Sequence, residues 1–585
     1  MRVLKPAALL LGSLLLTVSS GNAQRPSIRL VVPEADTART ASDRYRLSAG
    51  TNPGNAVTLN GVPLKVYPSG AMAGLLTLHV GENLFTLMAS NRMGDSTVKS
   101  FLIMRDAPVE TSPASPCQID TVMMQPANDL WLDAGDLLEV QIKGSPGCTA
   151  TFLGGLPMTE LPPGAASGLR GVYQGVYRVK RGDTLAARAI SFVLTDSAGG
   201  RSEALSRGRV SFLTEEFPRV GATRGYRPAL GFGLGEDRLG GAKMSFLVPG
   251  VRLAISGKND GLYRVALAPG REAWIAEESV ELQPRGSHPP SALTGNWTVT
   301  GDGQYDYVNV SLPEKLPFAS TQEGNPTRIH VDLFGASSNT NWIIQSLTSA
   351  EIANVSHVQL GTGVVRITLE LRHKQIWGYD IGYAAAGLQI RVRRQPERLK
   401  IKALTFALDA GHGGENLGAL GSTGVLEKDI NLRTVYLLKA LLEDRGARVV
   451  LTREGDENLS MADRVRKVLA SHADILIAVH SNSIGLTSDP RDTRGTSTYY
   501  KHPCYRPLSL SIVKEILKTG LPLNGNVGAF NFALNGPTEL PNVLVELAFM
   551  SNPEDEMLLL NDDFRRELAD RIVDGIDNFL DACDE

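Results

Sequence analysis

The chain has 585 residues, 42% of them hydrophobic and 21% charged. At roughly 150 residues per domain this is about four domains with buried cores, which excludes disorder as the main state. Lys and Arg number 59 against 62 Asp and Glu, a formal charge of −3, so the basic excess of a nucleic-acid-holding protein is missing and no nucleic-acid partner is expected. Four cysteines exclude a disulfide framework and a Cys-rich zinc-finger array. The 59 Gly and 32 Pro, with only 6% aromatic residues, point to turn-rich β structure over much of the length.

Residues 1–23 have the order of a secretory signal peptide. Arg2 and Lys5 give a positive start, Ala7 to Val18 is mainly apolar, and Gly21-Asn22-Ala23 places small residues before Gln24. The apolar run is shorter than the ~20 residues a spanning helix needs. No cysteine follows it to carry a lipid, and no later stretch is long and apolar enough to span a bilayer. Export places the cysteines in an oxidising compartment. Cys117 and Cys148 could then bridge, as could Cys504 and Cys583, if their Cα atoms come within about 7 Å.

Residues 24–110 read as short strands. Val57-Thr58-Leu59 and Val62-Pro63-Leu64 flank Asn60-Gly61, a two-residue hairpin signal. Leu84 to Leu87 leads into Asn91-Arg92-Met93-Gly94-Asp95 and then a strand near Val98–Met104. Residues 117–214 end alike: Phe192 to Leu194, then Asp196-Ser197-Ala198-Gly199-Gly200, then a strand near Val210–Leu213. This internal repeat fits two Ig-like β-sandwiches joined by the Pro/Ser-rich stretch Ala107–Pro116.

Residues 215–284 are Gly-rich and then β-patterned. Gly270-Arg271-Glu272-Ala273-Trp274-Ile275 resembles the closing strand of a small SH3-like β-barrel of bacterial envelope proteins. Trp274 is read as a core residue, as large aromatics usually are. A Pro/Ser linker follows at Arg285–Ala292. In residues 294–397 apolar and polar positions alternate, as in Arg328-Ile329-His330-Val331-Asp332-Leu333 and Val365-Arg366-Ile367-Thr368-Leu369. Together with Phe334-Gly335, this pattern resembles the AMIN-type β domain, a module that often precedes cell-wall amidases. His330, His357 and His373 lack metal-ligand spacing and read as ordinary strand residues.

From Ile401 the pattern changes to strands alternating with helices, which implies an α/β domain over 401–585 with a mainly parallel sheet. The expected strands are Thr405–Leu408, Val449–Leu451, Ile475–Val479 and Val543–Val545. The expected helices are Glu427–Arg445, one capped by Ser460 and running to about Ala470, Leu508–Leu517 and Phe564–Leu580. Ligands of such sheets bind beyond the carboxyl ends of the strands. Four polar residues fall there: His412 after the first strand, Glu427 opening the first helix, and His480 and Glu546, each expected to end its strand. Two imidazoles, one carboxylate and an open fourth position form the catalytic zinc pattern, and a further carboxylate can act as general base.

These residues stand in motifs. Asp409-Ala410-Gly411-His412-Gly413-Gly414, Glu427-Lys428-Asp429-Ile430-Asn431-Leu432, Leu451-Thr452-Arg453, His480-Ser481-Asn482 and Glu546 through Ser551-Asn552-Pro553 follow one another in order. The segment resembles the zinc-dependent N-acetylmuramoyl-L-alanine amidases of bacteria. The resemblance implies Zn²⁺ held by His412, Glu427 and His480, with Glu546 as the catalytic carboxylate. Arg453 is expected to orient the site or pair with a carboxylate, and Asn482 to touch substrate. Two positions depart from the pattern: Ala410 replaces a common Pro, and Glu415-Asn416 stands where an acidic residue is usual one place later. Only about a dozen residues separate His480 from the strand-like Gly495–Tyr500, too few for the helical plug that some relatives insert there.

The function this implies is hydrolysis of the amide between the lactyl group of N-acetylmuramic acid and L-alanine in peptidoglycan. Another zinc peptidase, or a cell-wall binding or scaffold protein dominated by the β modules, are the alternatives. Envelope or division proteins are a further class of partner open to the N-terminal modules. Export with an AMIN-like segment implies a periplasmic location, the alternative being extracellular or envelope-associated.

Overall fold

A computed structural model describes residues 25–107, 112–113, 116–215, 217, 219–235 and 239–584. The expected signal peptide (1–23), Gln24 and parts of the expected first linker lie outside the described residues. Among the described residues no helix is long and apolar enough to cross a membrane.

Residues 25–106 build two sheets over one core. One holds Ile28–Val32, Arg44–Thr51 and Ala71–Thr77; the other holds Thr37–Thr40, Ser96–Arg105, Gly81–Ser90, Ala56–Leu59 and Val62–Leu64. Leu47, Ala49 and Met72 from the first meet Val57, Leu87 and Phe101 from the second. Asn60-Gly61 closes its hairpin with Leu59 opposite Val62. Both turn residues have positive φ, 50° and 80°, as a primed turn requires.

The repeat seen in the sequence is a repeated turn. Asn91 Oδ1 accepts from the amides of Met93 and Asp95, each at 3.0 Å. Asp196 Oδ1 accepts from those of Ala198 and Gly200, at 3.0 and 2.7 Å. Each turn joins two long antiparallel strands. A side chain that mimics backbone holds both turns closed.

The second and third segments share one continuous sheet. Leu130–Leu132 pairs in parallel with Val210–Phe212 and antiparallel with Lys258–Asn259 of the third segment. Trp274 is half-buried and, with Trp131, lines the cleft between the two segments. Residues 292–394 form further sheets whose core, including Val308 and Ile329, is continuous with Leu253 and Val265 of the third segment. The cysteines are free thiols. Burial, with the neighbouring Cys148 thiol, pushes Cys117 up to about 11. Cys504 and Cys583 pack against different cores.

The last domain carries strands β1 (Thr405–Ala410), β2 (Arg448–Leu451), β3 (Ile475–Asn482), β4 (Thr496–Tyr499), β5 (Leu523–Val527) and β6 (Asn542–Phe549). Its α-helices are α1 (Glu427–Asp444), α2 (Met461–Ala470), α3 (Arg506–Ile516), α4 (Pro553–Leu560) and α5 (Asp562–Asp584). The sheet order is β2-β1-β3-β6-β4-β5, parallel throughout except where β4 meets β6. Apolar runs such as Ile475–Val479 are buried on both faces by the flanking helices. Ser460 caps α2 by accepting from the Asp463 amide at 3.1 Å.

The structure corrects one expectation about strand ends. β3 continues two residues past His480, and β6 continues three past Glu546. Glu546 lies opposite His480 on one side and Ser497 on the other. β3 and β6 go on pairing with each other past these residues, with Asn482 opposite Phe549, so the polar residues sit within the strands.

Candidate metal centre and active site

Three elements bring the ligand set together. His412 follows β1 in the loop Gly411–Gly414, with φ +64° in the left-handed region. Side chains enter that region at a cost that surrounding contacts must hold in place. Here two buried arginines hold it. Arg453 donates to the carbonyls of Ala410 at 2.8 Å, Gly411 at 3.1 Å and Lys428 at 2.8 Å. Arg464 donates to Ala410 O at 2.8 Å, to His412 O at 2.5 Å and to Asp409 Oδ1 at 2.8 Å. Gly411 has no substitute here, because a Cβ would lie 2.3 Å from the His480 ring.

Glu427 opens α1 and is buried. Its Oε2 lies 3.1 Å from His412 Nε2, and its Oε1 lies 3.2 Å from His480 Nδ1. The ligand atoms of the three residues all lie within 4.8 Å of one another. Donors about 2.0–2.1 Å from a tetrahedral ion are ~3.3 Å apart, so the two closest separations match a zinc-sized ion. The carboxylate is held by three further donors: the amides of Ala419 at 2.7 Å and Ser481 at 3.0 Å, and Asn431 Nδ2 at 3.0 Å. Asn431 in turn accepts from Ser481 Oγ at 3.0 Å.

His412 Nδ1 lies 2.9 Å from Asn416 Oδ1. The amide oxygen accepts from Nδ1–H, which leaves Nε2 as the ring atom that faces Glu427 and is open to a metal. Asn416, standing where the motif usually has an acidic residue, thus orients the His412 ring with an amide.

The charges agree with this geometry. Burial alone would raise the Glu427 carboxyl, but hydrogen bonds and charge from His412 and His480 outweigh it and hold it well below the usual carboxylate range. Burial opposes charging of His480, yet Glu427, with smaller contributions from Glu546 and Asp409, raises it. Glu546 is buried, and its charge reaches Tyr499 as well, whose phenol is raised by burial and by that carboxylate.

Of the remaining residues singled out by sequence, Asn482 is half-buried at the end of β3, with Nδ2 3.5 Å from the Tyr499 hydroxyl. Arg453 serves backbone carbonyls, including Gly455 O at 2.8 Å. His330, His357 and His373 lie elsewhere: His330 meets Thr368 at 3.0 Å, His357 packs on Trp297, and His373 meets Glu351 at 2.7 Å. Sequence reasoning did not single out Asn416, Asn431 or Arg464. Asn431 was open to it, being four residues after Glu427 and so on the same helix face.

Residues 407–578 match the family described as N-acetylmuramoyl-L-alanine amidase. The chain is 35% identical over 185 residues to the uncharacterized protein YqiI of Bacillus subtilis, covering 31% of this chain and 87% of that one. It is 33% identical to the probable cell wall amidase LytH of Staphylococcus epidermidis, covering 31% of this chain and 60% of that relative, so the match spans under two thirds of LytH. Among solved structures, the catalytic domain of CwlV, an N-acetylmuramoyl-L-alanine amidase from Bacillus (Paenibacillus) polymyxa var. colistinus, is 32% identical. It covers 30% of this chain and 98% of that one, at a TM-score of 0.29. The chain belongs to the N-acetylmuramoyl-L-alanine amidase family, and its carboxy-terminal domain is the amidase domain.

Proposed function

We propose that the protein is a zinc-dependent peptidoglycan amidase that cleaves the bond between the lactyl group of N-acetylmuramic acid and L-alanine. The observation that carries the metal is the convergence of His412, Glu427 and His480 at donor spacings that suit zinc, with a preset His412 tautomer. Zinc held there supplies the Lewis acidity that acidifies the attacking water and polarises the lactyl carbonyl. Glu546, beside His480 on the neighbouring strand, accepts the water's proton and returns it to the leaving amine of L-alanine. Arg453 and Arg464 keep the His412 loop in place, and Asn482 contacts substrate at the rim.

The reading extends to the whole chain. The first 23 residues direct export to the periplasm. Residues 24–110 and 117–214 serve as Ig-like modules, 215–284 as an SH3-like barrel, and 294–397 as an AMIN-like module, together placing the enzyme at the wall. Mass spectrometry of purified peptidoglycan, digested by the mature protein with zinc beside its E546A variant, tests the chemistry. Intact stem peptides with an L-Ala amino terminus, released only by the unmutated protein, are expected. Equal release by both would remove Glu546 from the mechanism, and cleavage inside the stem would make the protein a peptidase.

A further inference from the structure

The amino-terminal module, residues 25–106, is docked on the two loops that adjoin the metal ligands. Leu420, from the loop between His412 and Glu427, packs against the module's own core. Gly50 approaches that loop so closely that a Cβ would lie 3.3 Å from Ser422 O and from Thr423 Cα. Arg29 covers Gly424, where a Cβ would meet its guanidinium at 2.2 Å. On the other side, the Arg46 amide donates to Leu486 O at 2.6 Å, and Arg46 Nη1 donates to Ile484 O at 2.8 Å and Ser483 Oγ at 3.2 Å. These are loops 418–424 and 483–486, one before Glu427 and one just after His480.

Between module and loops runs a groove of about 420 Å³. Val32, Ala35, Ala38 and Arg46 form one wall, and Ala419 and Leu486 lie opposite. It reaches the metal ligands at Gly418, where a Cβ would lie 2.5 Å from Glu427 Oε2 and 2.8 Å from the His412 ring. Arg46 is 5% exposed, and its Nε has no hydrogen-bond partner among the described residues. No described carboxylate pairs with it. Glu34 lines the same groove but is exposed and makes no ion pair with Arg46. A buried cation without a counter-charge is costly, and burial lowers its pKa. A carboxylate entering the groove would offset that cost.

We infer that residues 25–106 complete the substrate site: the groove receives the stem peptide, and Arg46 recognises one of its carboxylates. The inference rests on the proposed amidase reading, since that reading places a peptide on one side of the scissile amide. A stem peptide carries at least its terminal carboxylate, and the groove leads away from the ligand cluster with a mixed lining suited to a short peptide.

The test uses the full chain with three module variants, Arg46→Gln, Arg46→Lys and Ala38→Trp, none of which touches a metal ligand. Two soluble substrates are compared, N-acetylmuramoyl-tripeptide and N-acetylmuramoyl-L-alanine amide, which lacks peptide carboxylates. For R46Q and A38W, kcat/KM on the tripeptide should fall about tenfold or more, the worth of one charge-assisted hydrogen bond, with the amide substrate within about twofold. R46K should recover part of the loss. Equal loss on both substrates would make the module a mere support. No change, or a rise that would make the module a cap, would also overturn the inference. Calorimetric binding of the free tripeptide gives a readout independent of turnover, and affinity unchanged in R46Q and A38W overturns the inference. If the unmutated chain releases no stem peptide yet binds it through Arg46, the amidase reading falls and the groove stands.

Discussion

Two of the β regions that pack on the amidase domain lie at opposite ends of its sheet. Residues 25–106 touch loops 418–424 and 483–486, at the carboxyl ends of the parallel strands. Residues 294–397 touch the other end. Arg393 donates to Ala473 O at 2.6 Å and to Asp474 Oδ1 at 2.5 Å, just before β3. The Tyr379 amide donates to Thr538 O at 2.8 Å, shortly before β6. In parallel sheets the carboxyl ends carry ligands and the amino ends carry stability. A β module at the first place lies where it can act on chemistry, and one at the second where it can act on stability.

The largest expected effect lies at the carboxyl ends. Glu546→Gln should lower turnover by roughly 10²–10⁴-fold while stoichiometric zinc is retained. Metal analysis beside steady-state rates checks it, and loss of zinc in that variant would move Glu546 into the ligand set. Asn416→Ala frees the His412 ring and should weaken zinc binding by about 10–100-fold, read by competition with a chelator.

Smaller effects belong to the amino ends and should leave chemistry alone. Arg393→Ala should cost about 1–3 kcal/mol in denaturant unfolding, with kcat/KM changed by less than about twofold. A large fall in kcat/KM with stability unchanged would break the division between the two ends. His502 lies at the same end, 2.9 Å from Gly536 O. Burial, with the charges of Lys501 and Arg227, lowers it to about 4 from its ordinary 6.5. The folded protein thus keeps it neutral where the unfolded chain would protonate it. Stability should be full above pH 6.5 and fall by about 3 kcal/mol as pH drops to about 4. A His502→Gln variant should show a flatter melting profile across that window.

Much of the amidase domain was legible along the chain. The 3.6-residue stripe of α1, the Ser460 cap and the apolar runs of β1 and β3 all report burial, and burial follows local pattern. β5 escaped notice because Leu523-Asn524-Gly525-Asn526-Val527 is polar and edge-placed, with two exposed residues and little apolar alternation. α4 was not among the expected helices, the last of which began at Phe564, although only Asn561 separates it from α5. Asn416 stood out only as a departure from the motif and Arg464 gave no signal, since an amide and a guanidinium gain meaning only from the loop they face.

The sequence by itself determined the parallel α/β frame and the order of the ligand motifs, because alternating apolar strands and striped helices must bury their faces wherever they fold. Only the tertiary structure decided how far β3 and β6 run, which side chains hold Glu427 and His412, and where the β modules sit. Those outcomes depend on contacts between segments far apart in the chain, such as Arg46 with Ile484 or Leu420 with the first module's core. Such contacts form between surfaces, and no periodicity along a single segment records them.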